Sequence, residues 1–459
     1  MARSALGRVL ALGRDRVDDL AHRSPARLAL LVFASIVVVM TGLLSLPVAT
    51  TDGVRAPFVD ALFTAVSAVC VTGLTTVETA TYWSGFGQAV ILVSIKVGGL
   101  GVMTLASILG LAVSRRIGLT QRMLTASETG TTRLGEVGSL VRAVIVASVV
   151  IELTLAATLV PRFLEYGESV PAALWHGFFM ALSIFNNAGF VVLDGGLVPF
   201  VGDWWLGLVV VVGTFLGAVG FPVLLDLWRH RRRPGRISLH ARLTLATFGV
   251  LFLVTVVAFV LFEWSNPDTL GGLPAADRVI ATLVHSITPR SSGLATLDVS
   301  EMQQSTLFAT DAMMFVGGGS ASTAGGIKVT TFAVLVLAIV AEARGDRDIE
   351  AFGRRIPTET VRLAVAVAFL GATMVGLSTL VLLSVTDFTL DQVLFEVISA
   401  FATVGLSTGI TPHLPDSATY VLAVLMFAGR IGTMTLAAAL AIRSRRRVIR
   451  MPEERPVIG

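Results

Sequence analysis

The sequence predicts an all-α membrane protein: eight transmembrane helices plus four re-entrant pore helices, written as four pseudo-fourfold span, half-helix, span repeats around one central pore. Three observations carry that prediction, namely composition, the lengths of the apolar runs, and internal repetition. Of 459 residues, 54% are hydrophobic and 14% charged, whereas a soluble domain carries roughly a quarter charged residues. Cys70 is the one cysteine, which excludes an internal disulfide, a multi-cysteine metal site and a redox pair.

The long apolar runs are residues 28–49, 87–113, 140–160, 205–228, 241–262, 309–341, 363–385 and 420–442, each long enough to cross the ~30 Å hydrocarbon core. The first exceeds a signal-peptide core and lacks a small-residue cleavage site, so it reads as a retained span. Between the members of each successive pair lies a shorter run: 57–71, 171–186, 275–289 and 390–403. Such lengths suit half-helices that enter the membrane and turn back.

Internal repetition supports the same division. With Gly73 as anchor, an offset of 332 residues lays SAFATVGLST at 399–408 over SAVCVTGLTT at 67–76. Offsets of 116 and 220 add SIFNNAGFVV and ITPRSSGLAT, with Gly189 and Gly293 over Gly73. The predicted organisation is an N-terminal segment 1–27, repeats 28–113, 114–228, 229–342 (with a broken second span) and 343–442, and a tail 443–459.

Arginines cluster before residue 28, at Arg115–Arg133, at Arg229–Arg236, at Arg344–Arg355 and after Ile442, whereas Asp194, Asp203, Asp268, Asp298, Asp387 and Asp416 sit in the intervening connections. The positive-inside rule therefore puts both termini in the cytoplasm. Because each basic run abuts a span, lipid rather than nucleic acid is its neighbour.

Each half-helix ends in two residues followed by glycine and an apolar residue. Nonhelical backbone at membrane depth survives only when it is buried in protein or lines a water-filled cavity. Four such turns imply a shared axis, toward which the half-helices aim C-terminal ends of partial negative charge and unpaired carbonyls. That chemistry favours a cation, with a filter of backbone oxygen from Val71-Thr72-Gly73, Asn187-Ala188-Gly189, Ser291-Ser292-Gly293 and Thr403-Val404-Gly405.

VTGLTT at 71–76, FNNAGF at 185–190, GGGSASTAGGIKVTT at 317–331 and GRIGTMTL at 429–436 resemble the Trk/Ktr/HKT superfamily of potassium and sodium translocation proteins, most nearly its Ktr pore-subunit branch, over essentially the whole chain. The third turn departs from the family's usual Arg-Thr-Ala-Gly-Phe. The resemblance implies a channel-like uptake protein of the bacterial plasma membrane that passes K+, since glycine at position 73 resembles the potassium-preferring members. A Na+-permeable or Na+/K+ cotransporting member is the alternative within the family, and an alternating-access carrier the alternative outside it. Four parallel repeats, rather than two inverted ones, favour a pore.

The resemblance also implies a gate beneath the filter. The family's matching loop obstructs the cytoplasmic half of the pore, which assigns that role here to Gly317, Gly318, Gly319, Ser320, Ala321, Ser322, Thr323, Ala324, Gly325, Gly326 and Lys328. Their glycines and hydroxyls cannot sustain a helix in lipid, and Ile327 before Lys328 breaks the nucleotide-loop pattern. A second barrier emerges from the repeats: GGLGVMT at 98–104 aligns with GRIGTMT at 429–435, so Arg430 stands where Gly99 and Ala218 stand. An arginine within a span costs roughly 2.5–3.5 kcal/mol on insertion scales and so points to protein or water.

Family membership further implies a homodimer on a cytosolic ring of RCK regulatory subunits that bind ATP or ADP, with Na+ as a possible activator and no organic cofactor on this chain. Lys96 and Lys328, the sole lysines, have Glu152, Asp226 and Glu396 as candidate partners. GLSTG at 405–409 matches the hydrolase nucleophile elbow. That motif needs a preceding strand, a following helix and a His with an acid; His413 is close in sequence, but Gly405 already belongs to the fourth turn, so an enzyme is not expected.

Overall fold

The structure, a computed structural model, describes residues 25–101 and 137–442. Outside them lie most of the basic N-terminal segment, the second half of the expected span 87–113 with its Met103 and Thr104 matches, the Arg115–Arg133 cluster and the tail from 443.

Fourteen helices of ten or more residues form the described bundle: α1 (Pro25–Leu44), α2 (Phe58–Cys70), α3 (Gly85–Gly99), α4 (Val137–Glu165), α5 (Val170–Asn186), α6 (Trp204–Val219), α7 (Phe221–His230), α8 (Leu239–Glu263), α9 (Ala275–Ile287), α10 (Gln304–Phe315), α11 (Val329–Arg344), α12 (Thr358–Val385), α13 (Leu390–Phe401) and α14 (Asp416–Ile442). Between α11 and α12, β1 (Ile349–Ala351) pairs antiparallel with β2 (Arg354–Ile356), Ile349 opposite Ile356. Helix starts follow local rules: Ser84, Asp203 and Ser238 accept from first-turn amides, and Thr389 with Gln392 forms a capping box.

Burial separates two helix types. The short helices are sealed on all sides toward their C-terminal ends: Phe63 to Cys70, Phe179 to Asn186, Val284 to Arg290 and Phe395 to Phe401 are buried throughout. The long helices instead expose large apolar side chains, with Leu261 at 70% and Phe369 at 74% exposure. A helix greasy on its outer face belongs in lipid. Among the described residues, 141–165 and 358–385 together with α8 are long and apolar enough to cross a membrane, and α6 with α7 adds a fourth if the pair is one span.

α2, α5 and α13 pack against both helices that flank them in sequence, and α9 against α8. α3 packs on α5, α6 on α9, α10 on α13, and α14 on α2. The last contact joins the end of the chain to its beginning and closes the bundle into a ring.

Two expected elements differ. The run 205–228 is not straight: it bends by 94° between α6 and α7 at Gly220, whose φ of +97° an L side chain rarely adopts. The half-helices also end differently: α13 has Ala402, at φ −80°, between its last residue and left-handed Thr403, and the third departs further. α2 and α5 stop at left-handed Val71 and Asn187, whereas α9 stops at right-handed Thr288 and reaches its left-handed residue only at Ser291. The Pro289-Arg290 pair accounts for the extra length, because proline disfavours helix continuation.

Candidate functional site

The four turns have one backbone conformation. Val71, Asn187, Ser291 and Thr403, aligned in sequence, have φ of +58°, +56°, +74° and +48°. A β-branched residue such as Val71 or Thr403 adopts such angles only under constraint, at on the order of 1–3 kcal/mol each. The constraint is a double hydrogen bond back to the helix. Val71 N donates to Ala68 O at 3.2 Å and Thr72 N to Ser67 O at 2.8 Å, and the same pair recurs in turns two and four. Ser67 Oγ also accepts from Gly73 N at 3.1 Å, as Ser399 Oγ does from Gly405 N at 3.0 Å. The amides of these turns are thus consumed by their own helices, which frees the carbonyls for another partner.

The turns meet in a closed ring. A Cβ on Gly73 would lie 2.6 Å from Ala188 O, one on Gly189 3.1 Å from Ser292 O, one on Gly293 2.5 Å from Val404 O, and one on Gly405 2.0 Å from Thr72 O. Every turn therefore sets its glycine against the middle carbonyl of the next, and the fourth returns to the first. In each turn the first two residues are buried and the glycine is half-buried, while the following Leu74, Phe190, Leu294 or Leu406 is packed in the core.

Residues 316–328 form an irregular loop against this ring. Its ends are clamped by Gly317 N to Ile327 O at 2.8 Å and Val329 N to Gly318 O at 3.0 Å. Gly319 N and Thr323 N donate to Ala218 O and Gly217 O at 2.8 and 3.2 Å, carbonyls at the end of α6 that the bend at Gly220 leaves without helical partners.

Three of the four turns touch the loop through their first side chain. The Asn187 amide lies 2.9 Å from Thr323 Oγ1. Ser291 Oγ donates to Thr403 O at 2.6 Å and accepts from Gly325 N at 3.1 Å. A Cβ on Gly325 would lie 2.0 Å from Thr403 Oγ1. The sequence assigns Asn187, Ser291 and Thr403 only backbone carbonyls, and their side-chain role has no signal in a linear alignment.

Arg430 is 2% exposed. Its guanidinium donates to Thr323 O in the loop and, at 2.9 Å, to Gly98 O at the end of α3. The neighbouring glycine fixes its height: Gly98, Gly217 and Gly429, aligned in sequence, press against Val69 O, Phe185 O and Phe401 O, and a Cβ there would come within 2.0, 2.0 and 1.8 Å.

A second buried arginine was not singled out from the sequence. Arg290, directly before the third turn, donates to Met313 O at 2.7 Å and to Val316 O, so it caps the broken end of α10. Its cost at membrane depth was the available signal.

Of the lysine pairings considered, one forms. Lys96 Nζ lies 2.7 Å from both Glu152 oxygens and 2.6 Å from Ser148 Oγ, and Asn186 Nδ2 donates to Glu152 at 2.8 Å. Lys328 Nζ instead donates to Ala324 O at 2.7 Å. Asp226 accepts from Ser238 N and faces His230 at 2.7 Å, and Glu396 accepts from Ser407 Oγ, Thr408 N and Thr411 Oγ1. Ser407 is thereby a donor to a buried carboxylate, which supplies a structural use for the G-x-S-x-G match.

The sequence profile of the TrkH family, described as cation transport protein, matches residues 22–447. The Ktr system potassium uptake protein B of Bacillus subtilis (strain 168) is 37% identical over 97% of this chain and 99% of the relative. The potassium/sodium uptake protein NtpJ of Enterococcus hirae is 33% identical over 95% of this chain and 97% of the relative. The crystal structure of the potassium transporter TrkH from Vibrio parahaemolyticus has the same fold, with a TM-score of 0.68 at 18% identity over 90% of this chain and 84% of that one.

Proposed function

The chain belongs to the TrkH family of cation transport proteins, and on that premise we propose that it is a channel-like potassium uptake subunit of a Ktr-type system. The observation that carries this reading is the closed ring of four glycine turns, each facing its neighbour's carbonyl.

In this mechanism K+ sheds water for backbone oxygens of Val71-Thr72-Gly73, Asn187-Ala188-Gly189, Ser291-Ser292-Gly293 and Thr403-Val404-Gly405. The C-terminal ends of α2, α5, α9 and α13, worth roughly half a negative charge each, lower the cost of an unhydrated cation there. Rigidity comes from the amide bonds back to each helix. The architecture proposed is four repeats, 28–113, 114–228, 229–342 and 343–442, supplying eight spans and four re-entrant helices, with both termini cytoplasmic in the plasma membrane of a bacterium.

Gly317 to Gly326 with Lys328 forms the gate, and Arg430 latches it. Support comes from the loop's bonds to the second and third turns, its close contact with Thr403 of the fourth, and Arg430 spanning loop and α3. Gating then amounts to exchanging those bonds for others as the loop leaves the axis.

Relatives named as parts of a Ktr system support additional subunits. The assembly proposed is a homodimer on a cytosolic RCK ring whose ligands are ATP or ADP. The relative named for potassium and sodium uptake supports Na+ as a second cargo or an activator.

The deciding experiment is 86Rb+ and 22Na+ uptake into liposomes holding the purified protein, with and without a regulatory ring. Rb+ uptake above empty liposomes, competed by K+ more strongly than by Na+, is expected. Equal competition favours the sodium-permeable reading, and saturable exchange at fixed stoichiometry favours a carrier.

A further inference from the structure

Past each turn, one polar side chain of the short helix ties down the segment that follows the glycine. On turn one, Thr76 Oγ1 donates to Asp60 of α2 at 2.7 Å. On turn two, Ser183 Oγ of α5 donates to Phe190 O at 2.7 Å. On turn three, the amides of Thr296 and Leu297 donate to Nε2 of His285 in α9 at 3.1 and 3.0 Å. On turn four, Glu396 of α13 accepts from Thr408 N at 3.1 Å, from Thr411 Oγ1 at 2.8 Å and from Ser407 Oγ. Thr76, Thr296 and Thr408 each stand three residues past their glycine, so Asp60, His285 and Glu396, chemically unlike, hold one place in the repeat.

Two of these side chains are costly to bury. His285 is 1% and Glu396 0% exposed, and a polar or charged group removed from water is penalised unless the protein supplies its bonds. Helix packing alone would be served better by an aliphatic residue of similar volume. The bonds these two accept come from the segment beyond the glycine, not from a neighbouring helix. The amides also settle the state of the histidine. An amide N–H can only donate, so Nε2 carries a lone pair and the neutral ring bears its proton on Nδ1. His285 is thus an acceptor, as the Glu396 carboxylate is.

Holding an amide also aims a carbonyl. In a trans peptide the N–H and the preceding C=O point in opposite directions. Amides drawn to the short helices at Thr296, Leu297 and Thr408 therefore turn the carbonyls of Ala295, Thr296 and Ser407 away from those helices. These oxygens continue the chain of carbonyls beyond Gly293 and Gly405. A filter of backbone oxygen discriminates between cations by the number and placement of its carbonyls, so whatever fixes them acts on selectivity.

We propose that His285 and Glu396, with Asp60 acting through the Thr76 hydroxyl, are positioning residues for ion selectivity. Each acts as an acceptor that pins the segment outside its turn and so fixes the carbonyls beyond the glycine ring. The inference rests on the reading of the four turns as the filter.

The test pairs substitutions in the full-length protein in liposomes and reads the ratio of 22Na+ to 86Rb+ uptake. His285→Phe keeps a ring to pack beside Phe259, now 5.7 Å away between centroids, and Glu396→Leu keeps an apolar body of similar reach, but neither can accept a hydrogen bond. His285→Gln and Glu396→Gln can. The acceptor-free variants are expected to raise the ratio about fivefold, the factor that one net hydrogen bond supplies, whereas the glutamine variants keep the parent's ratio. Since Glu396→Gln also removes the charge, a parent-like ratio there assigns the effect to the acceptor. Thr76→Val cuts the bond to Asp60 between two half-buried residues, a milder change, and should raise the ratio in the same direction. An unchanged ratio in His285→Phe and Glu396→Leu, or in Thr76→Val where those two fail to fold, overturns the proposal. So does a glutamine variant whose ratio rises as far as that of its acceptor-free counterpart. Gly73→Ser, measured alongside, separates the two readings: a ratio unmoved there removes the filter itself, whereas a ratio moved by Gly73→Ser and by none of the others leaves the filter and removes the positioning role.

Discussion

Arg430 donates to the backbone oxygen of Thr323, and that bond joins α14 to the irregular loop packed against the ring of turns. With its second bond to Gly98 O at 2.9 Å, the guanidinium ties three separate elements together. Charge-assisted bonds of this kind contribute roughly 1.5–3 kcal/mol each, enough to serve the latch role proposed for this arginine. Replacing it with glutamine should raise Rb+ efflux from loaded liposomes by about tenfold for each 1.4 kcal/mol of closed-state stability removed. Efflux equal to the parent protein would count against the latch.

The ring predicts how selectivity fails. Gly73 has φ +96°, and a Cβ there would lie 2.6 Å from Ala188 O. Gly73→Ser therefore both strains the turn and pushes a neighbouring carbonyl away from its place. The expected result is a rise in Na+ permeation relative to K+, read as the ratio of 22Na+ to 86Rb+ uptake. An unchanged ratio sinks the filter assignment.

Ser291 couples the third and fourth turns to the loop, because one hydroxyl holds both Thr403 O and Gly325 N. Ser291→Ala removes both bonds while keeping the backbone column. Opening should become easier with selectivity nearly intact, in contrast to Gly73→Ser. If the sodium to rubidium ratio shifts as much in Ser291→Ala as in Gly73→Ser, the division of labour between hydroxyl and carbonyl is wrong.

Lys96 and Glu152 form a partly buried pair whose side chains are 23% and 4% exposed, so the cost of a fully buried pair is an upper bound for it. Removing one partner of such a pair costs about 3–5 kcal/mol, whereas replacing both with apolar residues is often neutral. In detergent, Glu152→Leu should lower the thermal midpoint sharply, and Lys96→Met with Glu152→Leu should recover much of the loss. Additive losses in the double variant would instead mean that the two groups act apart.

The amino-acid order foretells some of this molecule well and some of it not at all. Run lengths and the Gly73, Gly189, Gly293 and Gly405 spacing anticipate the places where short helices stop, since helix length and backbone freedom are local properties. The 94° bend at Gly220 is different: between Trp205 and Asp226 the run carries no charge to mark a break, and only the loop packed in the elbow, with Ser320 O 2.6 Å from where a Cβ on Gly220 would stand, reveals why glycine is there. The side-chain bonds from Asn187 and Ser291 to the loop join residues 136 and 34 positions apart, a distance that no periodicity encodes. Arg290 and Arg430 obey one rule of intramembrane charge, but the repeat alignment picked out only the second.

Asp203 supplies the pH dependence that lies outside the membrane-spanning segments. It caps α6, accepts from Trp205 N and Leu206 N, and takes bonds from Arg162 Nε and the Tyr166 hydroxyl, both at 2.9 Å. Burial alone raises its carboxyl, but the bonds from Arg162, the Leu206 amide and Tyr166 outweigh that and hold it below its ordinary value. A carboxyl depressed in the folded state contributes stability that is fully present above the unfolded value of about 3.9 and is lost as pH falls through the lower folded value. The thermal midpoint in detergent should therefore decline below about pH 4 in the parent protein. Asp203→Asn keeps most of the cap geometry but cannot titrate, so its midpoint should start lower at pH 7 and fall less between pH 5 and 3, a range of about two units around the carboxylate value. Parallel curves for the two proteins would show that another group governs acid sensitivity.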